Sequence, residues 1–189
     1  MDRILLILDL DETLIYADEV ALDRPADFGV YGYHVYRRPH LAEFLAAADQ
    51  HFDLAVWSSA SDAYVYAVVD RIFPDPSKLE FVWGRSRASL RRVGPDDTRF
   101  YDPWDHLHYV KPLTKVRRAG WNLGRVLIVD DTPEKCFRNY GNAIYPRPWT
   151  GEEDDSELRL LMRYLAALKD VPNVRNIEKR RWREGLQTE

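Results

Sequence analysis

Several residues able to do polar chemistry fall at the ends of apolar runs. Asp9-Leu10-Asp11-Glu12-Thr13 follows Ile4 to Leu8, Ser58 follows Leu54-Ala55-Val56-Trp57, and Asp130-Asp131-Thr132 follows Val126 to Val129. Lys111 comes just past a short β-like piece, His106–Val110. Carboxylates crowded at one edge raise each other's pKa unless a cation offsets them. Mg²⁺ is such a cation, and it typically takes one or two carboxylates together with substrate phosphate oxygens. The chemistry that would use all these groups is hydrolysis of a phosphate monoester. One Asp can act as nucleophile, dividing the reaction through an aspartyl phosphate. A second, two residues on, can protonate the leaving oxygen and then take a proton from water. Lys111, Ser58 and the metal can hold the charge on the transferring phosphoryl group. Taken singly, each residue has an ordinary reading: Asp11 and Thr13 as turn formers, Asp131 or Thr132 as a helix cap, Ser58 and Lys111 as surface residues. It is their joint placement at strand ends, in one order along the chain, that overrides those readings.

The elements that must position these residues can be read from the pattern. Ile4–Leu8 is continuous and apolar, as in a strand covered on both faces. Phe28 to Tyr36 alternates and predicts an exposed or edge hairpin. Pro39 opens a helix carrying Leu41, Phe44, Leu45 and Ala48 on one face, and Ser61 is suited to cap a helix running to about Ile72. Residues 74 to 110 differ, with short β-like pieces (Glu80–Trp83, Ala88–Val93, His106–Val110) and excess positive charge. A short helical stretch near Leu113–Arg118 precedes the Val126–Val129 strand, Thr132-Pro133 starts another helix, and Leu158, Leu161, Leu165 and Leu168 form the stripe of a last one. Strands alternating with helices predict an α/β fold with a mainly parallel central sheet and helices on both faces. In such sheets ligands bind beyond the carboxyl ends of the strands, which is where the polar groups lie.

Composition narrows the class further. The 189 residues are 46% apolar and 31% charged, which argues against disorder, and the length suits one domain, 1–189. The longest apolar run is far below the roughly 20 residues of a membrane helix, and Ile4–Leu8 does not read as a signal peptide, so no membrane partner is expected. A net charge of −4 gives no support for a nucleic-acid partner. One cysteine, Cys136, makes a reducing compartment the easier assumption. The expected location is cytoplasmic, with the nucleus also open to it.

Asp9-Leu10-Asp11-Glu12-Thr13-Leu14 resembles the first motif of the haloacid dehalogenase superfamily. The chain resembles more closely the catalytic domain shared by FCP1-type and small C-terminal-domain (NLI-interacting-factor-like) phosphatases, over about Ile4 to Leu168. Further matches are Arg37-Arg38-Pro39-His40-Leu41-Ala42-Glu43-Phe44-Leu45, Trp57-Ser58-Ser59-Ala60, Tyr109-Val110-Lys111-Pro112-Leu113, Ile128-Val129-Asp130-Asp131-Thr132-Pro133, Asn142-Ala143-Ile144 and Trp149. The resemblance implies a Rossmann-like haloacid dehalogenase fold with a small β insert at about 74–110 and no large cap. It implies Asp9 as nucleophile and metal ligand, and Asp11 as general acid/base that also offers its backbone carbonyl to Mg²⁺. Ser58 and Lys111 take the phosphate-binding positions, with Thr13 supporting the nucleophile loop at the phosphate site. Asp130 and Asp131 form the closing acidic pair, and Asp131 is the one expected on the metal. Arg85 matches an arginine beside the substrate in some relatives.

Other constellations fail. After Cys136 and five intervening residues comes Asn142 rather than Arg, and there is neither a phosphate-binding Gly-x-x-x-x-Gly-Lys nor a Gly-x-Ser-x-Gly elbow. His106 and His108 read as strand alternation, and Lys179-Arg180-Arg181-Trp182-Arg183 as a solvated terminal helix. The stretches between Thr13 and Trp57 and between Ser58 and Lys111 are too short for a large cap, so the expected substrate is a phosphate displayed on a protein, as phosphoserine or phosphothreonine. The basic insert with Trp83, Phe100, Tyr101 and Trp104 is either a peptide grip or an aromatic mini-core. A phosphatase of small phosphomonoesters or nucleic-acid ends, and a non-catalytic interaction module, are the rival readings.

Overall fold

The computed structural model describes residues 3–92 and 107–186. Val93, Phe100, Tyr101, Trp104 and His106, which entered the reading of the insert, lie outside them, as do Asp96, Asp97 and Arg99 of its charged stretch. The centre is a five-stranded sheet in the order β10-β9-β1-β5-β6, built from β1 (Ile4–Leu8), β5 (Phe52–Trp57), β6 (Val82–Trp83), β9 (Val126–Val129) and β10 (Ala143–Ile144). Every neighbouring pair in it is parallel.

The apolar runs are continuous because both faces of this sheet are covered. Ile4, Leu6 and Leu8 of β1 join one core, while Leu5 and Ile7 join the other; Leu127 and Val129 part from Val126 and Ile128 in the same way. Over the first core lie α1 (Leu41–His51), α2 (Asp62–Ile72) and α4 (Glu157–Leu168), which contribute Phe44, Val65 and Leu161 among others. The second face is covered more lightly, by α3 (Thr114–Arg118) with Val116 and by Cys136 of the 3₁₀ stretch Pro133–Asn139. Each fully buried Leu or Ile is worth about 1.5–3 kcal/mol, so β1, with five wholly buried residues, anchors the sheet.

The expected hairpin is β3 (Phe28–Val30) and β4 (Tyr33–Arg37), joined by Tyr31-Gly32 with φ of 49° and 90°. Two successive positive φ values mark the tight turn that follows strand twist, and glycine supplies the second without strain. A strand absent from the sequence reading, β2 (Ile15–Asp18), pairs antiparallel with β4 and completes a three-stranded sheet, β2-β4-β3. In the insert, β7 (Ser89–Arg92) and β8 (Leu107–Val110) form a separate antiparallel pair.

Two local expectations change. The helix begun at Thr132-Pro133 is 3₁₀ rather than α. The basic run at 179–183 is not a solvated helix: residues 180–183 form turns, and Trp182 is buried against Tyr164, donating from Nε1 to the Tyr145 carbonyl (3.1 Å). Arg183 pairs with Glu157, and Lys179 donates to the carbonyls of Val174 and Ile177 (2.5 and 2.6 Å). A large indole between cationic residues gains more from the core than from solvent, so the tail is held down.

Candidate active site

The site is at the carboxyl end of the parallel sheet. The Asp9 N–H donates to the Val129 carbonyl (3.0 Å), extending the β1–β9 pairing by one residue before the chain turns. The turn is then closed by the Leu10 carbonyl, which accepts from the N–H groups of Thr13, Leu14 and Ile15 (3.2, 2.7 and 3.1 Å). Glu12 takes a left-handed φ of 59° within it. Beneath the turn lies Arg38, a fully buried side chain at the end of β4. Its guanidinium holds Asp155 through two bonds (2.8 and 2.9 Å) and donates to the carbonyls of Thr13 (3.0 Å), Glu12 (3.3 Å) and Arg147 (2.9 Å).

Asp9 is buried, and its Oδ2 lies 2.9 Å from Lys111 Nζ and 3.3 Å from Lys135 Nζ, while Oδ1 accepts from the Leu10 N–H (2.8 Å). Lys111, with no exposed surface, also donates to Asp130 Oδ2 (2.6 Å). Its backbone is fixed by Asn139, whose Nδ2 donates to the Lys111 carbonyl (2.5 Å) and whose Oδ1 accepts from Leu113 N–H (3.1 Å). Asp130 Oδ1 accepts from the Thr132 N–H (3.0 Å). The Thr13 hydroxyl joins the two acidic loops, donating to Asp131 Oδ1 and accepting from the Asp131 N–H, each at 3.2 Å.

Asp11 projects to the other side. Tyr64, in the first turn of α2, donates to its Oδ1 (2.7 Å), and the Ser58 hydroxyl reaches its Oδ2 at 3.5 Å. Ser58 Oγ also accepts from the Ala60 N–H (3.0 Å). Asp11, Tyr31, Tyr33, Tyr64 and Arg85 line an open cleft of about 460 Å³. Arg85 is positioned there by its Nε–H to the Ser59 carbonyl (2.9 Å) and by its guanidinium over the Tyr109 ring (5.2 Å). The backbone carrying it approaches α2 so closely that a Cβ at Gly84 would fall 2.2 Å from Asp62 Oδ1.

The protonation tendencies of the two first-loop carboxyls differ. Burial would raise Asp9, but the ammonium groups of Lys111 and Lys135 outweigh it and leave Asp9 below the usual carboxylate range. Asp11 is held above that range, chiefly by burial and further by the charge on Asp9, with the Tyr64 hydrogen bond pulling the other way. Burial and then Asp9 push Asp130 up to about 6 despite Lys111. Burial lowers Lys111 and Lys135, yet the surrounding carboxylates leave both above the usual lysine value. The two carboxyls of the first loop are thus pushed in opposite directions, Asp9 down and Asp11 up, which is the sense of difference that nucleophilic and general-acid roles use.

Carboxylate oxygens of Asp9, Asp130 and Asp131 lie within 4.8 Å of one another. An all-oxygen donor set of this kind fits a hard ion such as Mg²⁺. Every sequence-predicted site residue belongs to this region: Asp9, Asp130, Asp131, Lys111 and Thr13 on one side, Asp11, Ser58 and Arg85 on the cleft side. Sequence reasoning passed over Lys135, Tyr64, Asn139 and the bracing role of Arg38. The signal for Lys135 was its place shortly after the Asp-Asp pair, and for Tyr64 its place in the first turn of the helix after Ser58.

Comparison with known proteins agrees with the geometry. A family model described as NLI interacting factor-like phosphatase matches residues 4–175. A CTD nuclear envelope phosphatase 1 homolog of Drosophila melanogaster is 30% identical over 197 residues, covering 94% of this chain and 72% of that protein. The carboxy-terminal domain RNA polymerase II polypeptide A small phosphatase 1 of Homo sapiens is 29% identical over 184 residues, covering 93% and 63%. Among solved structures, Fcp1, an RNA polymerase II CTD phosphatase, has a TM-score of 0.63 at 18% identity, covering 89% of this chain and 63% of that one, which shows a shared fold.

Proposed function

The chain belongs to the NLI interacting factor-like phosphatases of the haloacid dehalogenase superfamily, and on that premise we propose that it is a Mg²⁺-dependent phosphomonoesterase working through an aspartyl phosphate on Asp9. The observation that carries the reading is a buried Asp9 carboxylate held by the ammonium groups of Lys111 and Lys135, with Asp11, two residues on, beside Ser58 on the wall of the open cleft. An oxygen of Asp9 attacks phosphorus, the ester bond breaks, and the leaving oxygen takes its proton from Asp11. The Asp11 carboxylate then takes a proton from water as that water attacks the phosphoenzyme, releasing phosphate and restoring Asp9. Lys111 and Ser58 bear on the phosphoryl oxygens, and the Thr13 hydroxyl keeps the two acidic loops in register. Asp9, Asp130 and Asp131, with the backbone carbonyl of Asp11, would hold the metal. Bound Mg²⁺ would neutralise carboxylate charge and polarise the phosphoryl group.

A phosphoserine or phosphothreonine on a protein is the substrate class the site supports best. The cleft beside Asp11 is open, and Arg85 and three tyrosines line it, a surface suited to a chain extending on either side of the phosphate. The chain is read as one domain, 1–189, with a small β insert at about 74–110 whose Arg85 stands on the cleft wall. Two of the relatives above are named for the nuclear envelope and for the RNA polymerase II carboxy-terminal domain. For this chain a cytoplasmic location is proposed, with the nucleus also open to it; the single free thiol, Cys136, fits either reducing compartment, and imaging a tagged chain decides between them. Among the described residues no helix is long and apolar enough to cross a membrane.

The test is release of phosphate from p-nitrophenyl phosphate with and without Mg²⁺, wild type beside Asp9→Asn. Metal-dependent turnover that falls to background in the variant is the expected result. Phosphopeptides set against 3′- and 5′-phosphorylated oligonucleotides then test the substrate class. Preference for the oligonucleotides would replace the phosphoprotein reading, and inactivity on every substrate would favour an interaction module.

A further inference from the structure

Two ammonium groups reach the same oxygen of Asp9, and they are held very differently. Lys111 Nζ is wholly buried, 2.6 Å from Asp130 Oδ2 and 2.9 Å from Asp9 Oδ2. Lys135 Nζ stands farther off, 3.3 Å from Asp9 Oδ2 and 4.0 Å from Asp130 Oδ1, and 26% of its side chain is exposed. The Lys135 backbone is pinned independently of that side chain. Its N–H donates to the Thr132 carbonyl (3.1 Å), and its carbonyl accepts from the Lys111 N–H (2.8 Å). The side chain can therefore swing toward solvent without loosening the loop that places Lys111.

Resting on the reading of Asp9, Asp130 and Asp131 as the metal-holding set, we propose that Lys135 is an exchangeable counter-cation. Its ammonium offsets the acidic cluster in the metal-free protein and withdraws when a hard divalent cation takes those oxygens. The charge count favours this. Three ionised carboxylates against Lys111 alone would leave a formal charge of −2 in a desolvated site, and Lys135 halves it. Lys111 cannot play the same part, because its side chain has no exposed surface. A lysine ammonium is strongly hydrated and sits on a flexible stem, so moving it from a partly exposed contact into water costs little. While it remains beside Asp9 and Asp130 it repels a dication at those same oxygens. Lys135 thus supports the empty site and weakens metal binding.

Calorimetric titration of Mg²⁺ into the metal-stripped full chain, joined to thermal melts in chelator, tests this without measuring turnover. Lys135→Met should bind Mg²⁺ on the order of tenfold more tightly than wild type, a size usual for coupling between two bound species. Its metal-free form should melt below wild type, and saturating Mg²⁺ should narrow that gap. Lys135→Arg keeps the charge and should stay near wild type in both measurements. A wild type that binds Mg²⁺ beside a Lys135→Met variant of equal or weaker affinity would overturn the proposal while leaving the metal reading intact. So would a Lys135→Arg variant that tightens binding as much as Met does. A folded wild type that takes up no Mg²⁺ would remove both readings together, and the wild-type titration alone identifies that case.

Discussion

Asp11 and Tyr64 carry the most direct consequence at the scale of single residues. The Tyr64 hydroxyl donates to Asp11 at 2.7 Å and so favours the carboxylate, against burial and the charge of Asp9, which favour the acid. Tyr64→Phe removes only the stabilisation of the charged form, so the Asp11 pKa should rise. A general acid acts while protonated, so its activity is lost as pH climbs through its pKa. The alkaline limb of the kcat/KM profile that Asp11 sets should therefore move to higher pH in Tyr64→Phe. A pH–rate series on p-nitrophenyl phosphate checks it, and a limb that stays in place or moves down would detach Tyr64 from Asp11. The acidic residues of this site were legible because they stand at the ends of apolar runs. Tyr64 was not, because a tyrosine in an amphipathic helix is most often core, and only the helix's starting point turns it toward Asp11.

Among the elements, the turn after β1 depends on a residue from β4. Arg38 has no exposed side-chain surface, grips Asp155 with two bonds and satisfies the carbonyls of Glu12, Thr13 and Arg147. Arg38→Met would leave a partly buried carboxylate and three carbonyls without that donor. Removing one partner from a buried pair typically costs about 3–5 kcal/mol, so a clear drop in the urea midpoint is expected. Arg38→Lys should not restore it, since one ammonium lacks the fork geometry that serves Asp155 and the carbonyls together. Phosphatase activity in whatever folded fraction remains should fall as well, because the same carbonyls shape the turn that carries Asp9 and Asp11. In the sequence Arg37-Arg38-Pro39 marked a helix start and a family motif, with no sign of what Arg38 holds. Nothing in the local sequence before α4 shows that Asp155 answers a guanidinium from across the fold.

For the molecule as a whole, the consequence concerns what reaches the cleft. The three-stranded sheet β2-β4-β3 and the insert flank the carboxyl edge of the parallel sheet, and Arg85 stands on the cleft wall with Asp11. Arg85→Ala should raise KM for a phosphopeptide by about tenfold, the size of one lost charge-assisted contact. The loss should be smaller on p-nitrophenyl phosphate, which has no flanking chain to meet the cleft. Equal losses on both substrates would place Arg85 on the phosphate itself rather than on the peptide. Steady-state kinetics on the two substrates separates these outcomes.

By itself the sequence determined the parallel α/β core and the acidic edge. Strands buried on both faces must be apolar throughout, so Ile4–Leu8, Leu54–Trp57 and Val126–Val129 announce themselves, and polar residues directly after them must lie at one edge of a parallel sheet. The tertiary structure alone decided which side chains meet across that edge. Lys135 on Asp9, Tyr64 on Asp11, Thr13 on Asp131 and Arg38 on Asp155 join residues far apart in the chain. Their spacing carries no local period, because such pairings are set by how strands register and helices pack, not by the propensities of neighbouring residues. The burial of Trp182 within a basic run has the same origin: local charge predicted solvent, and the indole instead packs on Tyr164 and donates to the Tyr145 carbonyl.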